Sequence, residues 1–439
     1  GLQVIGVREI EKSPGANRDV SRIVRSYPGV SFSPVGYRND LIVRGGGPSE
    51  NKFYLDGIEI PNINHFATQG ATGGPVSILN ADLIREINFY TGAFPADRSG
   101  ALSSVLDIQL RDGNPEKQTF KATLGASEVS LSGSGHIGEK TSYLFSLRQS
   151  YLQLLFKMIG LPFLPNYIDG QLKVKTRLSE HDELTVLGLA GFDNMKLNLD
   201  EEGEDAEYLL SYLPRIRQET FTVGAAWRHY AGRHVQTVSL GHTYLNNRNL
   251  KYRGNDDSSE DNLTLRLRSV EQKTTLRAEN RSYLGRWTVR EGAELSYSGY
   301  TNRTEQRLFT DEAALSDYRT RLGIVGWGLF AGADYASADK RFTATFGSRT
   351  FTGTYEFTGE SHDIALHFEM SSKYDLGTLN GKTYLSGTDL QILFPATRLL
   401  KMVDVLGQKL ASFSTTAATV STLVGKFDDL YLGFEFTKQ

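Results

Sequence analysis

The sequence predicts a mainly β protein built in three successive parts, and three observations lead to this prediction. The 439 residues include 44 glycines, 23 Phe and 21 Tyr, a composition typical of strands separated by tight turns. From Thr119 onward, apolar and polar residues alternate over stretches of about 8–11 residues, the period of a strand with one apolar face. The segment before Thr119 mixes strand and helix periods, and the segment after Arg341 has shorter strands.

Bulk composition excludes several function classes. The absence of cysteine removes disulfides, thiol catalysis and thiolate metal sites. A net charge of -3 argues against nucleic acid as a partner. No stretch reaches the roughly 18 uninterrupted apolar residues that a membrane-spanning helix needs. The chain starts at Gly1 with no signal peptide, so we expect either that one has been removed or that the sequence begins inside a longer chain.

Two short apolar runs organise the first part, and each ends in a turn signal. Leu41–Val43 runs into Arg44 and three glycines, and Phe53–Leu55 runs into Asp56-Gly57. Glycine accepts positive φ without a Cβ penalty, and Asp-Gly is a strong hairpin signal. These patterns predict a compact unit with Arg44 and Asp56 near its centre.

Helix periods flank those runs. Val20, Ile23, Val24 and Tyr27 fall on one face of a short helix that Pro28-Gly29 ends, and Leu79–Ile87 has the pattern of a second helix. The first part, from about Glu9 to Gly113, is therefore predicted to be a mixed α/β domain.

The second part consists of long alternating strands whose two faces differ. We expect one outer apolar surface and an inner polar surface. The outer surface would carry Phe120, Leu124, Leu172, Val174, Trp327 and Leu329, and the inner surface would carry Lys121, Lys173 and Lys175. A membrane barrel and a soluble sandwich share this alternation, so both remain open on pattern alone.

The third part changes character near Arg341. Short strands are followed by a helical face at Leu399–Leu406 and by a second short helix around Leu423-Val424. We therefore predict a change of fold between Arg341 and Phe351, with a tail that forms its own small core.

Ordered motifs link the first part to a known family. The steps Ile42-Val43-Arg44-Gly45 and Tyr54-Leu55-Asp56-Gly57 stand within a run of similar motifs from Glu9 to Gly113. The chain resembles the plug of TonB-dependent outer-membrane receptors of the Bacteroidetes type. Its tail, through TGTYEF and YLGFEF, resembles a small lipocalin-like domain of exported Bacteroidetes proteins.

The resemblance implies an architecture and a function. It implies a receptor plug over 1–115, the N-terminal part of an antiparallel transmembrane β-barrel over 116–340, and a lipocalin-like β domain over 341–439. It further implies a receptor in the bacterial outer membrane, surrounded by lipid, which imports a scarce ligand by plug rearrangement. The TonB complex would supply the energy, and the ligand would be a siderophore, cobalamin or glycan. No enzyme activity, cofactor or metal site is predicted, because no catalytic or metal-ligating constellation is signalled locally.

Two groups of candidate site residues follow from the resemblance and the motifs. The plug signature consists of Arg44, Gly45, Gly46, Tyr54, Leu55, Asp56 and Gly57. Within it, Arg44 would form a buried ion pair that yields when the plug is pulled, or a structural salt bridge without a transport role. Asn64, His65 and Gln69 would face the ligand from a plug apex, or else belong to a solvated loop.

Barrel size leaves a second function open. A plug of about 110 residues fits barrels of about 22 strands, whereas the second part holds about a dozen strands at most. The sequence thus predicts an incomplete barrel, as in a truncated receptor joined in frame to another domain. No convincing TonB box precedes Glu9. The alternative is a non-transporting surface or periplasmic binding protein in which the lipocalin-like tail is the functional part.

Overall fold

A computed structural model describes most of the chain up to residue 360 and short segments beyond it. The described residues are 2–12, 20–32, 40–67, 73–74, 76–92, 94–98, 100–125, 127–307, 315–336, 338, 343–360, 378–379, 382–383, 398–403, 409–415 and 433–438. The interval around Leu423-Val424, where we predicted a second helix in the tail, lies outside them.

Strands dominate the described residues. The helices are α1 (Val7–Lys12), α2 (Ser21–Val24), α3 (Leu152–Met158) and α4 (Glu204–Tyr212), with 3-10 turns at Pro48–Glu50, Ala81–Leu83, Arg253–Asn255 and Glu260–Asn262. The N-terminal strands are β1 (Leu2–Gly6), β2 (Val30–Phe32), β3 (Leu41–Val43), β4 (Asn51–Leu55), β5 (Ile58–Ile60), β6 (Ile84–Tyr90) and β7 (Ser104–Leu110).

Longer strands follow. They are β8 (Thr119–Leu124), β9 (Glu128–Ile137), β10 (Thr141–Ser150), β11 (Phe163–Arg177), β12 (Asp182–Leu197), β13 (Arg215–Ala231), β14 (His234–Tyr252), β15 (Leu263–Leu284), β16 (Trp287–Arg307), β17 (Leu315–Ala336) and β18 (Thr343–Glu360). The tail contains β19 (Thr378–Leu379), β20 (Lys382–Thr383), β21 (Arg398–Val403), β22 (Lys409–Thr415) and β23 (Gly433–Lys438).

The N-terminal domain is built on a five-stranded sheet of order β1-β6-β7-β4-β5, in which β4 and β7 run parallel. Its core is fully buried and includes Ile5, Leu55, Ile87, Phe89 and Leu106. Strand β5 lies at the edge of the sheet and pairs only with β4, over three residues. The edge strand is therefore held by few backbone hydrogen bonds.

The helix predicted over Leu79–Ile87 is wrong. Asn80 does cap a turn, because its side chain accepts a hydrogen bond from the Asp82 backbone N–H, but the turn is a single 3-10 turn at Ala81–Leu83. From Ile84 the chain continues as β6, which pairs with β1 on one side and β7 on the other. Pairing on both edges outweighs the local helix period, as tertiary context often does.

The second part forms an eleven-stranded antiparallel sheet, which we call the β-wall. Its strands β8 to β18 pair in sequence order, each with the next. The turns after β9, β13 and β15 are short and contain positive-φ glycines at Gly138, Gly232 and Gly285. Longer connections follow β10, β12 and β14, and two of them carry α3 and α4. The β-wall thus has a short-turn end and a long-loop end.

The two faces of the β-wall are as predicted. Five of the six predicted outer residues are exposed, and Val174 is half-buried; the exposed residues are Phe120, Leu124, Leu172, Trp327 and Leu329. The three lysines face the N-terminal domain, its connecting segment or inward carboxylates: Lys121 pairs with Asp82, Lys173 with Asp56, and Lys175 with Asp112 and Glu183. Inner residues Leu144, Leu187 and Leu189 belong to the core of the N-terminal domain. A soluble sandwich, in which a second sheet would cover the outer apolar face, is excluded for the described residues.

The predicted change of fold between Arg341 and Phe351 is wrong. Strand β18 runs through this interval and pairs with β17, with Phe357 opposite Leu322 and Thr354 opposite Val325. Its two-residue alternation matches that of the preceding strands, so it extends the β-wall to Glu360. β8 and β18 are the two edges of the sheet, so the strands that the structure describes do not close into a barrel.

The helix predicted at Leu399–Leu406 is also wrong where the structure describes it. Arg398–Val403 is strand β21, flanked by β22 and β23 in a three-stranded sheet. A short apolar run suits a central strand as well as a helix, and here pairing on both sides decides for the strand.

Candidate functional site at the domain interface

The Arg44 turn lies at an exposed edge of the N-terminal domain. Arg44 and Gly45 have φ values of 53° and 79°, and the Gly46 N–H donates to the Val43 carbonyl at 3.0 Å. The Arg44 guanidinium donates to Thr91 Oγ1 at 3.3 Å. No carboxylate in the part of the chain that the structure describes pairs with it, so the predicted Arg44 ion pair is absent among those residues.

The Asp56-Gly57 turn, the second predicted turn, contacts the β-wall, whereas the Arg44 turn makes no such contact among the described residues. Asp56 and Gly57 have φ values of 48° and 86° and form the two-residue loop between β4 and β5. Asp56 accepts a hydrogen bond from the Leu110 N–H at 3.0 Å and forms an ion pair with Lys173 at 2.9 Å. Lys173 lies on β11 and is buried, so this pair joins the N-terminal domain to the β-wall.

The remaining signature residues are structural. Leu55 is fully buried in the core. Tyr54 lies beneath the Arg98 guanidinium, which is 4.8 Å from the ring centre, and burial raises the pKa of its phenol. A side chain at Gly46 would collide with Ser103 and Glu50, so glycine is required there by close packing.

Arg98 belongs to a charged cluster that spans the interface. Asp97 and Asp107 pair with it at 2.9 and 2.6 Å. From the β-wall, Arg277 and Arg290 approach the same Asp97 at 3.3 and 3.5 Å. Burial acts to raise the pKa of Asp97, but the surrounding arginines outweigh it and lower that pKa.

The best-defined contact is formed by His65, which the sequence placed in a ligand-facing or solvated loop. Its side chain is fully buried against the β-wall, so the solvated alternative is wrong for His65. Its Nδ1 lies 2.6 Å from Asp193 Oδ1, and its Nε2 lies 3.1 Å from Asp169 Oδ2. The ring stacks on Tyr167 with 4.0 Å between ring centres. We call His65, Asp169 and Asp193 the histidine clamp.

The clamp geometry favours the charged form of His65. Both ring nitrogens face carboxylate oxygens, and the imidazolium can donate a hydrogen bond to each. Burial acts to lower the pKa of His65, but the two carboxylates outweigh it and raise the pKa to about 8. Arg148 completes the balance by donating from Nε to Asp169 at 3.0 Å.

The other two predicted apex residues differ from His65. The Asn64 side chain is buried and donates to the Gly74 carbonyl at 2.7 Å, so it stabilises its own loop. Gln69 lies outside the described residues. A ligand-facing role for this loop remains a prediction.

Sequence reasoning missed the β-wall partners. Asp169, Gln171 and Lys173 lie on the inner face of β11, and Asp193 lies on the inner face of β12. The available signal was the presence of charged residues at inward positions of long strands. Charges at such positions need partners when another domain buries them, so they indicate that a domain with charged groups packs against this face.

Family models match both ends of the chain. Residues 1–104 match the family described as the TonB-dependent receptor plug domain. The N-terminal domain is a TonB-dependent receptor plug. Residues 310–438 match the family described as "Lipocalin-like domain (DUF4923)", starting at 310, whereas the sequence patterns placed the boundary at 341.

Known proteins are similar to this chain in the plug and the β-wall. The ferrienterobactin receptor of Escherichia coli (strain K12) is 32% identical over 128 residues, which cover 26% of this chain and 17% of that protein. The structure of the ferripyoverdine receptor of Pseudomonas aeruginosa superposes with a TM-score of 0.60 at 16% identity, covering 83% of this chain and 53% of the receptor. The ferric citrate transporter superposes with a TM-score of 0.58 at 13% identity, covering 82% and 57%.

The chain therefore spans about half the length of these solved structures and less of the curated relative. The structural likeness shows the fold: a plug against the inner face of part of a β-barrel. None of the described helices is long and apolar enough to span a membrane. No group of three or more metal-ligating side chains occurs among the residues that the structure describes.

Proposed function

We propose that this chain is the plug and part of the barrel of an outer-membrane receptor that imports a small ligand when the TonB complex acts on the plug. The observation that carries the proposal is the nature of the plug–barrel interface. It is held by buried ion pairs at Asp56–Lys173, at Asp97 and at the histidine clamp.

Such an interface suits a domain that must be seated accurately and then rearranged. Buried ion pairs contribute little net stability, because desolvation offsets most of the attraction. They do penalise wrong positions strongly, since a single unpaired buried charge costs about 3–5 kcal/mol. Water that enters during displacement can solvate both partners, whereas a wholly apolar interface would resist separation.

The comparisons favour an iron chelate as the ligand class within the siderophore, cobalamin and glycan options. The similar proteins are named as receptors or transporters for ferrienterobactin, ferripyoverdine and ferric citrate. We propose the bacterial outer membrane as the location, with lipid against the outer apolar face that includes Leu172 and Leu329.

Uptake by living cells tests the proposal. The chain is expressed in bacteria that lack their own receptors, and radiolabelled ferric enterobactin, ferripyoverdine, ferric citrate and cobalamin are supplied in turn. We expect uptake of at least one iron chelate above vector-only cells. Absence of both binding and uptake for all four probes would contradict the proposed function.

The lipocalin-like match supports a second candidate. If the tail is the working part, this would be a non-transporting surface or periplasmic binding protein. Removing residues 361–439 distinguishes the two: a receptor retains cell-surface binding of its chelate, whereas a tail-dependent binding protein loses it.

A further inference from the structure

A row of cavities runs between the plug and one side of the β-wall. A cavity of about 560 Å³ lies at the short-turn end, and one of about 420 Å³ lies near mid-height. Between them is a space of only about 20 Å³, bordered by Ser239, Arg277 and Gly57 on one side and by Glu59, Thr243 and Lys273 on the other. The two large cavities have the volume of small-molecule pockets.

The constriction is filled from the plug by the edge strand β5. The Ile58 side chain occupies a notch made by two glycines of neighbouring strands, Gly224 on β13 and Gly241 on β14. Cβ atoms added there would lie 2.7 and 2.9 Å from Ile58 atoms. Only glycine leaves room for this close approach.

Ion pairs of Glu59 with two lysines also lie at the constriction. Glu59 is held between Lys52 of the plug at 3.1 Å and Lys273 of the β-wall at 2.5 Å. Burial acts to raise the pKa of Glu59, but Lys273 and Lys52 outweigh it and lower the pKa to about 2. The carboxylate is therefore ionised at all physiological pH values, and the Glu59–Lys273 pair links the two domains.

The mid-height cavity is lined by polar groups that suit a polar solute. Asn62 lines it and is 2% exposed, yet neither its amide nitrogen nor its amide oxygen has a hydrogen-bond partner in the described structure. A buried unpartnered amide is energetically unfavourable, and a hydrogen-bonding solute or water would offset this cost. Lys52, Lys273 and Gln272 supply further donors along the same wall.

We propose that these cavities form the passage of the imported ligand and that Ile58 and Glu59 form its gate. This rests on the proposed transport function. Displacement of β5 joins the two cavities while the rest of the plug stays seated, because β5 is an edge strand paired over only three residues and β4 keeps its pairing with β7. The passage suits a hydrophilic ligand rich in carboxylate or hydroxyl oxygens, which lysine, arginine and amide donors recognise.

Engineered disulfides test the gate in a chain that has no cysteine. In I58C/G241C, the added Cβ at position 241 would lie 3.9 Å from the Ile58 Cβ, within the range for a disulfide. I78C/G191C ties the plug to a different strand, β12, where the added Cβ lies 3.3 Å from Ile78 Cγ1. L172C/G188C has the same 3.9 Å approach within the β-wall alone and is the matched control.

Uptake of the iron chelates is measured in oxidised and reduced cells. Oxidation of I58C/G241C is expected to lower uptake at least about tenfold, as expected for a blocked gate, with reductant restoring it. Uptake by the reduced form of each variant shows whether that variant folds. Oxidised I78C/G191C and L172C/G188C are expected to keep their uptake.

Two outcomes would overturn the gate. If both plug tethers block uptake equally, the plug moves as a whole. If neither blocks, the passage lies elsewhere. A wild-type chain that takes up none of the probes instead removes the transport function on which the gate rests, so the two failures are distinguishable.

Discussion

At the residue scale, the histidine clamp determines how the plug apex is seated. His65 is 104 residues from Asp169 and 128 residues from Asp193 in the chain, so these side chains attract one another only when the plug is docked correctly. His65 supplies the positive charge for Asp193, while Asp169 also has Arg148. Removing the imidazolium would therefore leave Asp193 buried without a cation.

His65→Gln is expected to lower the free energy of unfolding of the plug by about 3 kcal/mol, the cost of an unpaired buried charge. Urea unfolding of the detergent-solubilised protein, followed by hydrogen exchange of plug peptides, measures this. His181→Gln, at an exposed histidine, is the control and should change the value by less than about 0.5 kcal/mol. Equal effects of the two substitutions would contradict the clamp.

The clamp should also make plug seating depend on pH. The pKa of His65 is raised to about 8 in the folded protein, against about 6.5 when unfolded. The part of the clamp's stabilisation that depends on the charge of His65, about 2 kcal/mol, is fully present below about pH 6.5 and is lost as pH rises through about 8. The urea midpoints of wild type and His65→Gln should converge between those pH values. A constant separation up to pH 9 would show that His65 does not titrate in this range.

At the element scale, the β4–β5 hairpin fits closely against the β-wall through Ile58. Gly224→Ala and Gly241→Ala should each loosen it, because the added methyl overlaps Ile58 and overpacking costs about 1–3 kcal/mol. Hydrogen exchange of residues 57–60 measures the loosening, and Ile58→Ala in the same chain should restore protection. Gly188→Ala, whose Cβ would meet its nearest atom at 3.9 Å, is the control. Identical exchange in all three glycine variants would contradict the fit.

The elements show what a single sequence can predict. The Asp56-Gly57 hairpin and the inward lysines followed from turn chemistry and strand alternation, which are local. The partners of His65 could not be predicted, because strand register over more than a hundred residues decides them. The apolar patterns at Leu79–Ile87 and Leu399–Leu406 suit a helix as well as a strand, and pairing with neighbouring strands decides for β6 and β21.

At the scale of the whole molecule, loop lengths orient the β-wall. Outer-membrane barrels place long loops outside the cell and short turns in the periplasm. With Ser258→Cys in a long connection and Arg233→Cys in a short turn, each variant carries a single thiol. An impermeant maleimide dye should label the first on intact cells and the second only after the outer membrane is permeabilised. The reverse pattern would contradict this orientation.

The central claim is that this chain moves its ligand by energised rearrangement of a plug that is seated on charged contacts. Collapse of the inner-membrane proton gradient with a protonophore tests it most directly, in cells that express the chain and bind a radiolabelled iron chelate. Binding at the cell surface should persist, because it needs only the folded receptor, and uptake should fall to the level of vector-only cells. Uptake that continues without the proton gradient would contradict the claim.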